Sequence, residues 1–150
     1  MTPCDEIRQH LAAAIQSVCK RGDCQLDLTG VSSQVIVADG DKLPDRDPQD
    51  AICDFLLFVS SAPLQVVAVE IKSRSWKARE VAAQLQGGAE VADRVLGRHQ
   101  VRDFCPLLLF EAAHTQQVKV FEMLRVLFRG KRNRILGRRC GARLSQILKK

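Results

Sequence analysis

The sequence predicts a mixed α/β domain of the α+β kind, a sheet flanked by helices, and three observations carry that reading. Two short apolar runs, residues 55–59 and 66–69, are separated by a Ser-Ser-Ala-Pro turn and read as neighbouring strands covered on both faces. A helix-spaced stretch over 78–96 follows them. A further apolar run over 104–110 then reads as a fourth strand of the same sheet.

The elements follow in order. Between residues 4 and 19 the apolar positions Ile7, Leu11, Ala14, Ile15 and Val18 have helical spacing, and Gly22 is placed to end that helix. Short extended pieces are expected over 25–28 and 34–38. Residues 39–50 form a turn-rich acidic loop that includes Pro44, Asp45, Asp47 and Pro48. A solvated connection is the plainer reading of that loop, with a role in approaching substrate or a second metal as the other. The hairpin over 54–72 comes next, then Ser-Arg-Ser-Trp and the long helix. Gly87-Gly88 weakens that helix by roughly 1 kcal/mol each relative to alanine, which close packing on the sheet would explain. After the fourth strand, a helix is expected over 116–124, a hairpin over 126–136 around Gly130, and a short helix over 144–148.

The chemistry concentrates in the hairpin. Glu70-Ile71-Lys72 closes the second apolar run and Asp54 opens the first. If Val59 pairs with Gln65, antiparallel register puts Asp54 directly opposite Glu70. Side chains alternate along a strand, so Glu70 and Lys72 share a face, and in this register Asp54 shares it too. Directly opposed residues have Cβ atoms only ~5 Å apart, where two carboxylates repel. A hard divalent cation, Mg2+ or Mn2+, would relieve the repulsion and suits oxygen ligands. Such an ion can polarise a phosphate and activate water, and Lys72 could position that water or offset charge on the phosphate. Glu-x-Lys triplets also arise by chance on solvated edges, but charges at the end of a doubly covered strand are costly to bury without a purpose.

Asp54 followed at hairpin distance by Glu70-x-Lys72 resembles the PD-(D/E)XK nuclease superfamily, which includes restriction enzymes and small Holliday-junction resolvases. The resemblance runs from the first helix to the strand at Leu107. It implies a restriction endonuclease-like core of helix, three-strand meander, helix and strand. It also implies a metal held by Asp54, Glu70 and the backbone carbonyl of Ile71. A glutamine on the following helix often orients such a site, and Gln84, twelve residues beyond Lys72, is the closer match, with Gln86 second. A plain surface position is the equal alternative for Gln84. An acid on the first helix, here Glu6, is an accessory candidate, with surface as its plainer reading. Ile52-Cys53 stands before Asp54 where the family name has proline.

Charge is divided unevenly. The first 120 residues hold thirteen Lys/Arg and sixteen Asp/Glu, a net of −3, whereas residues 121–150 hold ten Lys/Arg and one acid, a net of +9. The chain reads as one domain, with a core over 1–120 and a folded basic appendage over 121–150. Arg125, Arg129, Lys131, Arg132, Arg134, Arg138 and Arg139, with Lys149 and Lys150 beyond them, suit a nucleic-acid backbone; an acidic protein partner is the other reading. Phe128 is the only aromatic among the residues following Phe121, so base stacking has little support within this stretch. Trp76 is a stacking candidate or a packing residue.

Together these features give a metal-dependent nuclease acting on DNA, expected as a homodimer because duplex cleavage needs two sites. A catalytically silent binding module on the same fold is the alternative. No apolar stretch approaches the ~20 residues needed to span a bilayer. The first residues, Met-Thr-Pro-Cys-Asp-Glu, lack signal-peptide character, and a cytoplasmic location is expected. The six cysteines form no Cys-x-x-Cys pair; neither a disulfide framework nor a zinc site is expected, and most should be reduced core residues. His10, His99 and His114 form no ligand pattern.

Overall fold

The protein is described here by a computed structural model, and the described residues are 2–44, 47, 49–112 and 115–148. The expectations placed on Asp45, Pro48, His114, Lys149 and Lys150 lie outside them. The architecture is mixed α+β around a six-stranded mixed sheet. Its strands are β1 (Ile15–Gln16), β4 (Val35–Asp39), β5 (Phe55–Val59), β6 (Leu64–Lys72), β7 (Val101–Phe110) and β10 (Leu136–Arg139), in that spatial order. The strands from β1 to β6 pair antiparallel, and β6, β7 and β10 run parallel. Two hairpins lie outside this sheet: β2 (Cys19–Arg21) with β3 (Cys24–Leu26), and β8 (Arg125–Phe128) with β9 (Lys131–Arg134).

Both faces of the sheet are covered, as the uninterrupted apolar runs require. On one face Leu56, Phe58, Val66, Ala68 and Leu108 pack beneath α1 (Pro3–His10) and α2 (Ala78–Leu96), with Val126 and Phe128 of the β8–β9 hairpin. On the other, Phe55, Leu57, Val59, Val67 and Val69 meet Cys19, Cys24 and Leu26 of the β2–β3 hairpin and Leu144 of α4 (Leu144–Ile147). α2 carries the chain across between parallel strands β6 and β7, the connection a parallel pair demands. Its Gly87 and Gly88 show why the helix accepts two glycines. A Cβ on Gly87 would lie 1.8 Å from the Ala51 carbonyl oxygen, and one on Gly88 would lie 2.4 Å from the Cys53 sulfur. Among the described residues no helix is long and apolar enough to cross a membrane.

Three expectations need correction. The first helix does not reach residue 19. Thr2 and Asp5 form a capping box that starts it, and it ends at His10. Ala12–Ala14 make a 3-10 turn, and Ile15–Gln16 form an edge strand against β4. Of the periodic apolar residues, Ile7, Leu11 and Ala14 are buried, Ile15 is half-buried on the edge strand, and Val18 is 48% exposed. Gly22, with φ +55°, makes the β2–β3 turn and caps no helix.

Secondly, Cys24 and Cys140 are joined in a disulfide across 116 residues. Backbone pairing brings them together: Gly141 N–H donates to Gln25 O, Asp27 N–H to Ala142 O and Leu144 N–H to Asp27 O. Cys4, Cys19, Cys53 and Cys105 remain outside that bond. Thirdly, the residues after Phe121 hold a strand that sequence reading did not separate from the hairpin. β10 joins the central sheet beside β7, so the basic stretch is woven into the core.

Candidate active site

The register inferred from sequence holds. Val59 pairs with Gln65 and Phe55 with Val69, so Asp54, one residue before β5, faces Glu70. The two acids interlock through the backbone. Asp54 N–H donates to Glu70 Oε1 at 3.1 Å, and Ile71 N–H donates to Asp54 Oδ2 at 2.8 Å. Lys72, two residues on, places Nζ 3.0 Å from Glu70 Oε2. Glu70 is only 2% exposed, whereas about a quarter of the Lys72 side chain reaches solvent.

Asp54 is also held from behind. Gly40 N–H donates to the Asp54 carbonyl at 2.7 Å. A Cβ on Gly40 would fall 1.9 Å from the Cys53 carbonyl oxygen, so only glycine allows this approach. The fourth carboxylate oxygen, Asp54 Oδ1, accepts from Arg21 Nε at 3.3 Å. Arg21 lies 4.3 Å above the Phe55 ring, and its Nη2 donates to Asp39 Oδ1 at 3.0 Å. Sequence reading missed Arg21 and Asp39. The available signal was Arg21-Gly22-Asp23-Cys24, a Gly-Asp turn that marks a hairpin and that the helical assignment of residues 4–19 obscured.

Burial dominates the electrostatics. It pushes the Glu70 carboxyl up to about 8, the Asp54 charge pushes the same way, and Lys72 opposes both. Arg21 is held above its ordinary value, with Asp39 and Asp54 outweighing the desolvation that pulls it down. Asp54 and Glu70 therefore sit with Arg21 and Lys72, with Asp39 behind Arg21, and each oxygen of the Asp54 and Glu70 carboxyls meets one donor.

A carboxylate oxygen has a second lone pair, so the acids retain acceptor capacity for a cation. Among the described residues no three His, Cys, Asp or Glu side chains converge as metal ligands. Further oxygens must come from backbone, amide or water, a mixture magnesium accepts. One such amide is Gln84. Gly88 packs on Ala68, and Gln84 lies four residues, about 6 Å along the helix, nearer the Glu70 end of β6. Its Oε1 is buried with no hydrogen-bond partner among the described residues. An orphaned buried acceptor on the α2 turn at the Glu70 end of β6 is the kind of oxygen a hard cation or its water shell can use.

The other expected residues lie elsewhere. Glu6 bonds His99 at 2.6 Å, at the end of the sheet opposite Glu70. Gln86 spans to β8, bonding both the N–H and the carbonyl of Leu127. Trp76 is packed between Phe110 and Phe121, with its indole N–H on Ala112 O.

The basic residues divide by role. Arg129 donates to Asp93 Oδ1 and to the carbonyls of Gly97 and His99, which fixes the hairpin to the end of α2. Arg139 bonds Glu111 O and lies over Phe110, Arg138 bonds Gly137 O, and Arg125 bonds the carbonyls of Glu122 and Leu124. Lys131, Arg132 and Arg134 of β9 are exposed. No protein-family model, no curated protein and no solved structure matches this chain.

Proposed function

We infer that the chain is a metal-dependent nuclease of the PD-(D/E)XK kind, most simply a DNA endonuclease. The observation that carries the reading is Glu70, buried at the end of a central strand, facing Asp54 and paired with Lys72. The order α1, antiparallel β4–β5–β6, α2 and parallel β7 supports the superfamily's core. Asp54, Glu70 and the Ile71 carbonyl would hold Mg2+ or Mn2+, with Gln84 orienting a bound water. Such an ion supplies Lewis acidity and a hydroxide near neutral pH. The chain's own groups do the rest. Arg21 fixes the Asp54 carboxylate, burial excludes bulk water from Glu70, and the Lys72 ammonium can donate to a phosphate oxygen or the attacking water. Lys131, Arg132 and Arg134 add positive charge for the phosphate backbone. A homodimer would supply the second site for duplex cleavage. A cytoplasmic location fits poorly with the Cys24–Cys140 bond, because reducing compartments rarely keep disulfides.

One observation favours a second reading, a nucleic-acid-binding module without catalysis. Asp54 and Glu70 already have the protein's own cationic side chains as partners, Arg21 Nε at 3.3 Å and Lys72 Nζ at 3.0 Å. Labelled single-stranded, duplex and branched DNA and RNA, incubated with Mg2+, Mn2+ or EDTA, separate the two. The nuclease reading expects metal-dependent cleavage of a DNA substrate that disappears in Lys72→Ala. Binding without cleavage under every metal condition would sustain the module and overturn the nuclease.

A further inference from the structure

The sheet that holds the acids also walls a cavity of about 400 Å³ one strand away, within the roughly 300–1,000 Å³ range of ligand sites. Leu108 and Phe110 of β7 line it, and they are the register partners of Glu70 and Lys72. Adjacent strands lie ~4.8 Å apart, so the cavity opens immediately beside the candidate active site. Its aromatic wall comes from three separate elements. Phe110 and Phe121, the latter from α3 (Thr115–Met123), each lie 6.0 Å, centroid to centroid, from Trp76 in the loop before α2.

Gly137 of β10 helps keep the cavity open. A Cβ there would stand 3.3 Å from Phe110 and 3.4 Å from Phe121. Arg134 and Arg138 line the mouth, and Arg134 makes no ion pair among the described residues. Glu122, also on the rim, offers a carboxylate that can accept from an exocyclic amino group, as acids do from cytosine N4.

We propose that this cavity receives one unstacked, amino-bearing nucleobase of a nucleic acid whose neighbouring phosphate lies at Lys72. Aromatic rings take the base, Arg134 and Arg138 take the flanking phosphates, and Glu122 takes the amino group. Flat rings beside guanidinium groups are how unpaired bases are held without sequence readout. The preferred substrate is therefore nucleic acid with a base already free of its helix: a bulge, a junction, a mismatch or a single strand. The proposal rests on the nucleic-acid part of the functional reading.

Trp76 is the only tryptophan of the chain, so its fluorescence reports on the cavity directly. The test uses metal-free buffer and two duplexes, one with a single unpaired adenine and one with an abasic site at that position. The expected result is quenching of Trp76 by the adenine duplex and about tenfold tighter binding than to the abasic one. Val118 lines the cavity and is 37% exposed. Val118→Phe, which narrows the cavity, should weaken the preference, and Val118→Ser, which leaves it open, should keep it. Equal affinity for the two duplexes, or a preference undiminished in Val118→Phe, would overturn the proposal. Cleavage of the adenine-bulged duplex and of single-stranded, duplex and branched DNA in Mg2+ or Mn2+ is scored separately. Cleavage without the adenine preference sinks the cavity alone, and the preference without cleavage upholds the cavity while sinking the nuclease.

Discussion

Replacing Glu70 by glutamine should make the metal-free protein more stable, by an amount that grows with pH. The folded carboxyl titrates at about 8 against an ordinary 4.5, because burial and the Asp54 charge both oppose ionisation. Between those values the folded chain keeps its proton while the unfolded chain gives it up. The folded state then binds more protons, and stability falls as pH rises. Each pH unit in that window removes about 1.4 kcal/mol. The loss relative to acid is roughly 3 kcal/mol at pH 7 and approaches 5 kcal/mol above pH 8. Nothing is lost below pH 4.5, where both states are protonated. Glutamine keeps an oxygen to accept from Asp54 N–H and never ionises. Thermal unfolding in EDTA should therefore show Glu70→Gln matching wild type near pH 4.5 and exceeding it by roughly 6–12 °C at pH 7. A gap that stays constant from pH 4.5 to 8 would refute the buried, proton-holding Glu70.

Gly87→Ala should destabilise by about 1–3 kcal/mol despite the better helix propensity of alanine, because the new Cβ meets the Ala51 carbonyl; urea denaturation measures it. Arg129→Ala should lose about 1–2 kcal/mol of stability by removing three bonds to the end of α2, yet leave the salt dependence of nucleic-acid binding unchanged. Changing Lys131, Arg132 and Arg134 together to glutamine should do the reverse. Stability should hold, while the slope of log affinity against log salt flattens by roughly 0.9 per lost phosphate contact. An unaltered slope in that triple variant would mean the basic face meets something other than nucleic acid.

The features legible in the sequence were those set by local pattern. The alternation of residues 55–59 and 64–72 fixed which side chains share a face, and one hairpin register then placed Asp54 opposite Glu70 without further information. The α2 boundaries and the close-packed Gly87-Gly88 were equally readable, since periodicity and composition agree there. What remained hidden was non-local. The apolar spacing of residues 4–19 suits a helix, but pairing of Ile15–Gln16 with β4 outweighs propensity there. That misassignment concealed Arg21, whose partners Asp39 and Asp54 lie 18 and 33 residues away. Cys24 and Cys140 carried no spacing signal, because the strand pairing that unites them spans 116 residues. The aromatic cavity escaped for the same reason. Trp76 was legible as a stacking candidate, but nothing local brings Phe110 and Phe121 to it.

Calorimetric titration of Mn2+ into the nucleic-acid-free protein, repeated with Asp54→Asn, Glu70→Gln and Lys72→Ala, tests the central assignment most directly. One specific site is expected in the wild type, lost or severely weakened in the two acid variants and retained in Lys72→Ala, whose defect should appear only in cleavage. No specific site in the wild type, or one indifferent to Asp54 and Glu70, would contradict a metal centre at this hairpin and leave Arg21 and Lys72 as the cationic partners of the two acids among the described residues.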